Sequence, residues 1–354
     1  MLLLARVFAA LLLATFAAVP AGADPVDDLL RAEMKQRQIP GLALAVVRTG
    51  QPVRLQGYGL ANLEWLTPVT PATVFEIGSL TKQFTAAAVL LLAQDGKLSL
   101  DDRLSRHLAG TPAAWSNITL RHLLTHTSGI RNYTGLPGFE LTRHLTRDQF
   151  IAQLAAQPLD FSPGAGWSYS NSGYSLLGHV VAATAGCDYW SFLRQRILQP
   201  LQMDATRDRL PGVIVPGRAA GYEMTNHVLI NRDYDITDVF SAGALLSTAS
   251  DLVKWDAALS SGHLLSPASL AEWWTPARLN DGTVKRYGFG WNLEPQAGHR
   301  CFGHGGATSG FSASIQRFPD DQLSVIVLTN SDEFNVATTL AKKVADLYLA
   351  GLPR

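Results

Sequence analysis

Cysteine is nearly absent from this chain: Cys187 and Cys301 are the only two in 354 residues. That is too few for a disulfide framework, and the two thiols are expected to stay unpaired. Charge is sparse and balanced, 29 Lys and Arg against 29 Asp and Glu, with no basic cluster. Neither nucleic acid nor an acidic membrane is therefore expected as a partner. The sequence also has no repeat, no low-complexity run, no Gly-x-Ser-x-Gly elbow, no phosphate-cradling glycine loop and no dinucleotide fingerprint. His122 and His126 stand four apart, but no Glu completes a His-Glu-x-x-His pattern and no third ligand accompanies them. They read as core or capping histidines, and neither a metal nor an organic cofactor is expected.

Long apolar runs are missing too. Val7 to Val19 is too short to span a bilayer comfortably. With Arg6 before it and Ala21-Gly22-Ala23 after it, residues 1–23 read as a signal peptide. The expectation is export to the periplasm or the medium, cleavage after Ala23, and no stable membrane insertion afterwards. Residues 24–354, in a chain 47% hydrophobic and 16% charged, suffice for a single large domain. Nothing in the composition assigns an oligomeric state.

What is present begins with strands at both ends of the chain. Val26 to Gln38 has helical spacing; Leu42 to Thr49 and Val53 to Gly59 form an expected hairpin about a Gly50-Gln51-Pro52 turn. Tyr287 to Leu293, Arg300 to Gly303, Phe311 to Phe318 and Leu323 to Thr329 read as further strands, with a turn at Pro319-Asp320-Asp321 and a last helix over about Glu333 to Ala350. The stretch between reads as helical with loops. The expected fold is α/β (α+β): an antiparallel sheet flanked by terminal helices, formed by about 24–78 and 265–354, with an all-helical region at about 79–264 inserted. Trp273-Trp274 reads as core or cleft wall.

The segment that carries chemistry is Phe75 to Gly96. After a turn at Gly78, Leu80, Phe84, Ala87, Ala88, Leu91 and Leu92 recur at helical spacing, and Gly96 stops the helix. Ser79 falls in its first turn and Lys82 on the same face one turn on. A hydroxyl needs a neighbour to take its proton, and a lysine deprived of water can supply that base. Unpaired N–H groups at the helix start favour a developing oxyanion. Ser-x-x-Lys alone also describes a cap followed by a solvated lysine, and about one match arises by chance in a chain of this size. Two unique companions lie downstream: Tyr169-Ser170-Asn171, the only Tyr-x-Asn, and His304-Gly305-Gly306, the only His-x-Gly.

These motifs, with Leu123 to Gly129, Ser162-Pro163-Gly164, Gly173-Tyr174 and Gly243 to Leu252, resemble the serine β-lactamase and penicillin-binding-protein superfamily. The likeness is to the branch of class C β-lactamases, D-alanyl-D-alanine carboxypeptidases, D-aminopeptidases and related esterases. It runs from about Gly41 to about Thr329. The resemblance implies a mixed α/β domain with an all-helical region and the site in the cleft between them. It also implies Ser79, Lys82 and Tyr169 as catalytic residues, with Asn171, His304, Gly305, Gly306 and Ala307 binding substrate. The N–H groups of Ser79 and Ala307 would form the oxyanion hole. Asn171 would grip a substrate amide and hold Lys82. A Tyr169 phenol between two cations would ionise more readily than usual and relay protons. Where the superfamily's lysine form holds a substrate carboxylate, this chain has His304, partly charged near neutrality, followed by Gly305 with no hydroxyl. Thr308 or Ser309 would have to supply one. That shifts the expected substrate, a small molecule or short peptide, from β-lactams towards esters and D-amino-acid peptides. A β-lactamase or D-alanyl-D-alanine carboxypeptidase proper, or a binding module for cell-wall peptides without turnover, are the alternatives.

Overall fold

The computed structural model describes residues 24–138, 145–210, 212–232 and 239–350. The signal-peptide reading of residues 1–23 lies outside them. Six strands form one antiparallel sheet, in spatial order Phe302–Thr308, Phe311–Phe318, Leu323–Thr329, Gly41–Arg48, Gln51–Asn62 and Thr67–Pro68. The two ends of the chain meet at its centre, where Leu42 pairs with Thr329 and Arg48 with Leu323.

Gly41–Arg48 is buried almost throughout, and its residues alternate between two cores. Leu42, Leu44 and Val46 join Val325 and Val327 beneath Val26 and Leu30 of the first helix, Pro25–Arg37, and Leu340 and Val344 of the last, Val336–Leu349. Ala43, Ala45, Ile326 and Leu328 face the other way and belong to the larger core, which also holds Phe84, Leu91, Val180 and Trp255. A strand covered on both faces reads in sequence as an unbroken apolar run, which is why this one was legible. Cys301 lies in the first core and Cys187 packs against the second; both are free thiols.

Three expectations need correction. The first hairpin turns at Thr49-Gly50, both with positive φ, so that Arg48 pairs with Gln51. That is the twist a two-residue hairpin favours, and it lets Gln51 and Pro52 enter the strand. Tyr287 to Leu293 is not a strand but a tight loop closed by a bridge between Tyr287 and Asn292. Gly290, at φ 76°, lies where an added Cβ would stand 3.0 Å from the Lys82 carbonyl carbon, so the loop folds against the Ser79 helix. The region between the sheet's two halves is not all helical either. It holds the hairpin Tyr222–Thr225/Val228–Asn231 and the strand Leu245–Ser247, which pairs with Phe75–Glu76 on one side and Arg207–Asp208 on the other. Among the described residues, no helix is long and apolar enough to cross a membrane.

Candidate active site

A short 3-10 turn, Gly78–Leu80, opens into the helix Thr81–Gln94. Gly78 has φ 49°, and a Cβ there would stand 2.7 Å from the Ala307 nitrogen. On the facing strand a Cβ at Gly306 would lie 2.0 Å from the Ile77 oxygen and 3.1 Å from the Ser79 nitrogen. Glycine at both positions lets strand and turn touch backbone to backbone, which brings the amides of Ser79 and Ala307 to one spot.

Lys82 is wholly buried, and its amine meets three oxygen atoms. Its Nζ lies 3.0 Å from Ser79 Oγ, 2.7 Å from Asn171 Oδ1 and 2.8 Å from the Ala242 carbonyl oxygen. Burial pushes its pKa well below the usual 10.5, towards the neutral amine. Asn171 begins the helix Asn171–Ala185; its Nδ2 donates to Thr134 Oγ1 at 3.2 Å, so Oδ1 is the atom turned to Lys82. Its backbone N–H donates to Asn132 Oδ1 at 3.1 Å, tying the helix start to the 130–135 loop.

Tyr169, in the extended segment just before that helix, hydrogen-bonds Ser79, and Lys82 Nζ lies 4.8 Å from its ring centre. The expectation of easy ionisation is overturned. Burial holds the phenol well above its ordinary pKa of 10, and the bond to Ser79 offsets this only in part. Lys82 and His304, the two expected cations, do flank Tyr169, but burial shifts both towards their neutral forms, and further aromatic rings pack around the phenol. His126 lies 4.5 Å from Tyr169, 4.7 Å from Tyr287 and 5.2 Å from Tyr174, measured between ring centres. Its Nδ1 accepts the Ser170 N–H at 3.1 Å. His126 and Tyr174 lie in phrases the resemblance singled out without a role, whereas Tyr287 was read as part of a strand. His122 caps its own helix, accepting the Thr119 N–H at 3.2 Å.

His304 is 4% exposed on the strand Phe302–Thr308, facing Tyr169 across 6.1 Å between ring centres. Its Nδ1 lies 2.6 Å from the Gly305 carbonyl, which can only accept, so Nδ1 carries the proton. Nε2 is then free to accept the Tyr287 O–H at 3.0 Å. Burial lowers the His304 pKa from 6.5 to about 4, the Lys82 charge pushing the same way. The partly charged imidazole read from the sequence is thus neutral at pH 7. No hydroxyl stands at position 305 itself; Thr338 Oγ1 of the last helix lies 2.8 Å from where a Gly305 Cβ would be.

Ser79 sits where two cavities meet. A cleft of about 650 Å³ is lined by Tyr169, His304, Asn292, Gln316, Thr338 and Lys342 among others. A pocket of about 80 Å³ lies on the Asn171 side. Every residue named from the sequence is therefore in one place, around one partly exposed hydroxyl. Asn292, Gln316, Thr338 and Lys342 carry no motif, and no sequence signal pointed to them.

A model of the β-lactamase family matches residues 26–350. Penicillin-binding protein 4* of Bacillus subtilis (strain 168) is 31% identical over 343 residues, covering 90% of this chain and 74% of that relative. Among solved structures, the D-amino acid amidase from Ochrobactrum anthropi SV3 complexed with D-phenylalanine superposes with a TM-score of 0.79 at 25% identity, over 92% of this chain and 99% of that one. The octameric penicillin-binding protein homologue from Pyrococcus abyssi gives the same TM-score at 27% identity, over 92% and 76%. The chain thus belongs to the β-lactamase and penicillin-binding-protein superfamily of serine hydrolases, as a homologue of penicillin-binding proteins and of D-amino acid amidase.

Proposed function

We propose that this is an exported serine hydrolase that cleaves esters or amides of small molecules or D-amino-acid peptides through a Ser79 acyl-enzyme. The observation that carries the reading is the partner set of Lys82. A neutral amine has two N–H donors and one lone pair. Asn171 Oδ1 and the Ala242 carbonyl, at 2.7 and 2.8 Å, take the two donors. The lone pair is left for the Ser79 hydroxyl at 3.0 Å, and the ammonium formed on proton transfer keeps all three partners.

Ser79 then attacks the carbonyl carbon, and the N–H groups of Ser79 and Ala307 hold the oxyanion. Tyr169, protonated because it is buried, gives its proton to the leaving group and recovers one from the Lys82 ammonium. Water enters and attacks the acyl carbon as Lys82 takes its proton, and the bond to Ser79 Oγ then breaks as Lys82 returns that proton to the serine, which frees the acid and restores the site. His304 holds Tyr287 and, with Gly305 and Gly306, lines the wall against which substrate lies. Export rests on the pattern of residues 1–23.

Ser79→Ala should abolish turnover of a nitrophenyl ester while leaving the circular dichroism spectrum and melting temperature in place. Wild-type turnover by the variant would remove Ser79 from the mechanism. A fluorescent fluorophosphonate separates the hydrolase from a non-catalytic peptide-binding module, since only an activated serine is labelled.

A further inference from the structure

Ser79 and Ala307 are the two residues shared by the large cleft and the small pocket, so the oxyanion position marks the boundary between them. The remaining lining is divided. Tyr169 and His304 face only the large cleft, whereas Asn171, Ala242 and Gly243 face only the small one. A carbonyl attacked by Ser79 has two substituents, and the one that departs must reach the proton donor. With Tyr169 as that donor, the leaving group lies in the large cleft and the acyl substituent in the small pocket. The acyl side has about an eighth of the space.

The small pocket also has a stiff wall. Its floor is the helical turn Phe240–Gly243, pinned at three points: Ala242 O to Lys82 Nζ at 2.8 Å, Ser241 O to Thr85 Oγ1 at 2.6 Å, and Ser241 Oγ to the Tyr174 carbonyl at 2.9 Å. The Phe240 ring packs 5.1 Å from Tyr189 and 5.6 Å from Trp190. The turn cannot retreat from a long acyl chain without moving Lys82. Opposite it stand Thr308 and Ser309 at the end of the Phe302–Thr308 strand.

We infer that the preferred substrates are esters or amides of short acyl groups, of acetyl to alanyl size, joined to a large polar leaving group. The inference rests on the proposed Ser79 chemistry and adds to it the division of the site. It disfavours substrates that place a bulky group on the acyl side, such as an opened β-lactam or an arylalanine amide.

The test is an acyl series on the intact protein: 4-nitrophenyl acetate, butyrate and octanoate, each with wild type and Ser79→Ala. The kcat/KM of wild type should fall by roughly tenfold or more from acetate to octanoate. Exchanging the leaving group of the acetate for 4-methylumbelliferone should change it by less than about tenfold. Gly243→Ala adds a methyl that meets Val239 Cγ2 at 3.4 Å, an ordinary contact, and removes space from the pocket. It should steepen the decline, and Val239→Ala should flatten it. Octanoate turned over as well as acetate by wild type, with Ser79→Ala inactive, overturns the size assignment and leaves the serine mechanism standing. Turnover that persists in Ser79→Ala overturns the mechanism itself. The wild-type series decides the matter even if one pocket variant fails to fold.

Discussion

Gly306→Ala is the sharpest perturbation the geometry offers. The added Cβ would stand 2.0 Å from the Ile77 oxygen, 2.9 Å from the Ile77 carbonyl carbon and 3.1 Å from the Ser79 nitrogen. All three are backbone atoms of the nucleophile's own turn, so no side chain can rotate away, and the strand must move off the turn. Local displacement of this kind costs about 1–3 kcal/mol of stability. The larger effect is on rate: the Ala307 amide moves with the strand, and a lost oxyanion donor costs roughly a hundred- to a thousandfold in kcat. The neighbouring Gly305→Ala is the control. Its Cβ points to the other face of the strand and meets Thr338 Oγ1 at 2.8 Å, the end of a side chain that can turn aside. Turnover of nitrophenyl acetate, measured with the melting temperature of each variant, should separate the two. Gly306→Ala should lose on the order of two powers of ten in kcat, and Gly305→Ala less than about one. Equal rates for Gly306→Ala and wild type, at unchanged melting temperature, would refute the placement of the oxyanion site between strand and turn.

Further outcomes follow from burial. The proposed mechanism uses Lys82 as the amine, and its pKa lies well below 10.5, so kcat/KM for an uncharged ester should rise with pH through that lowered value and level off far short of pH 10. A rising limb that persists to pH 10 would show that the lysine is not desolvated as described. Acid stability is set partly by His304 and His179, each lowered by burial from 6.5 to about 4. Between those values the unfolded chain binds the proton and the folded chain does not, so stability is complete above pH 6.5 and drains away as pH falls towards 4. Each shift corresponds to roughly 3 kcal/mol. Urea midpoints that stay level from pH 7.5 to 4.5 would contradict it.

Much of the fold was legible, for identifiable reasons. The sheet's central strands announced themselves because both faces are covered, and the final helix because one stripe of it, Leu340, Ala341 and Val344, is buried. The loop Tyr287 to Leu293 was misread because its aromatic composition suits a strand. Tyr287, Phe289 and Trp291 are all buried, but around a turn that Gly290 permits. The hairpin Tyr222–Thr225/Val228–Asn231 is the converse case. Met224, Val228 and Ile230 are exposed, and so much solvent-facing surface gave no periodic signal of a core. Residues 233–238, just beyond it, and 139–144 lie outside the described residues. At the site, motif order selected which side chains meet, because three unique patterns had to be explained together. The cleft residues Asn292, Gln316 and Thr338 belong to no pattern, and only tertiary packing brings them to Ser79.

Protonation state was misjudged from the sequence at Tyr169 and His304, though not at Lys82, and the cause is general. Lys82, Tyr169 and His304 have ordinary pKa values spread across several units, and by type alone they form a cation, a phenol and a switchable imidazole. Burial acts on all three in the direction that removes charge: down for the lysine and histidine, up for the tyrosine. The three groups beside Ser79 are thus each shifted towards their neutral forms, and the charges that the proposed reaction creates are an ammonium at Lys82 and an oxyanion between two amides. Each forms where its partners already stand, so little reorganisation opposes it. A neutral imidazole at position 304 fits that economy better than a fixed cation would. A permanent charge so near the buried amine would disfavour the ammonium by like-charge repulsion, in surroundings that screen it weakly. His304→Lys tests this directly. The substitution should lower kcat at neutral pH and move the rising limb of the pH profile further down as it depresses the Lys82 pKa again. An unchanged limb would mean that the two positions do not sense each other's charge.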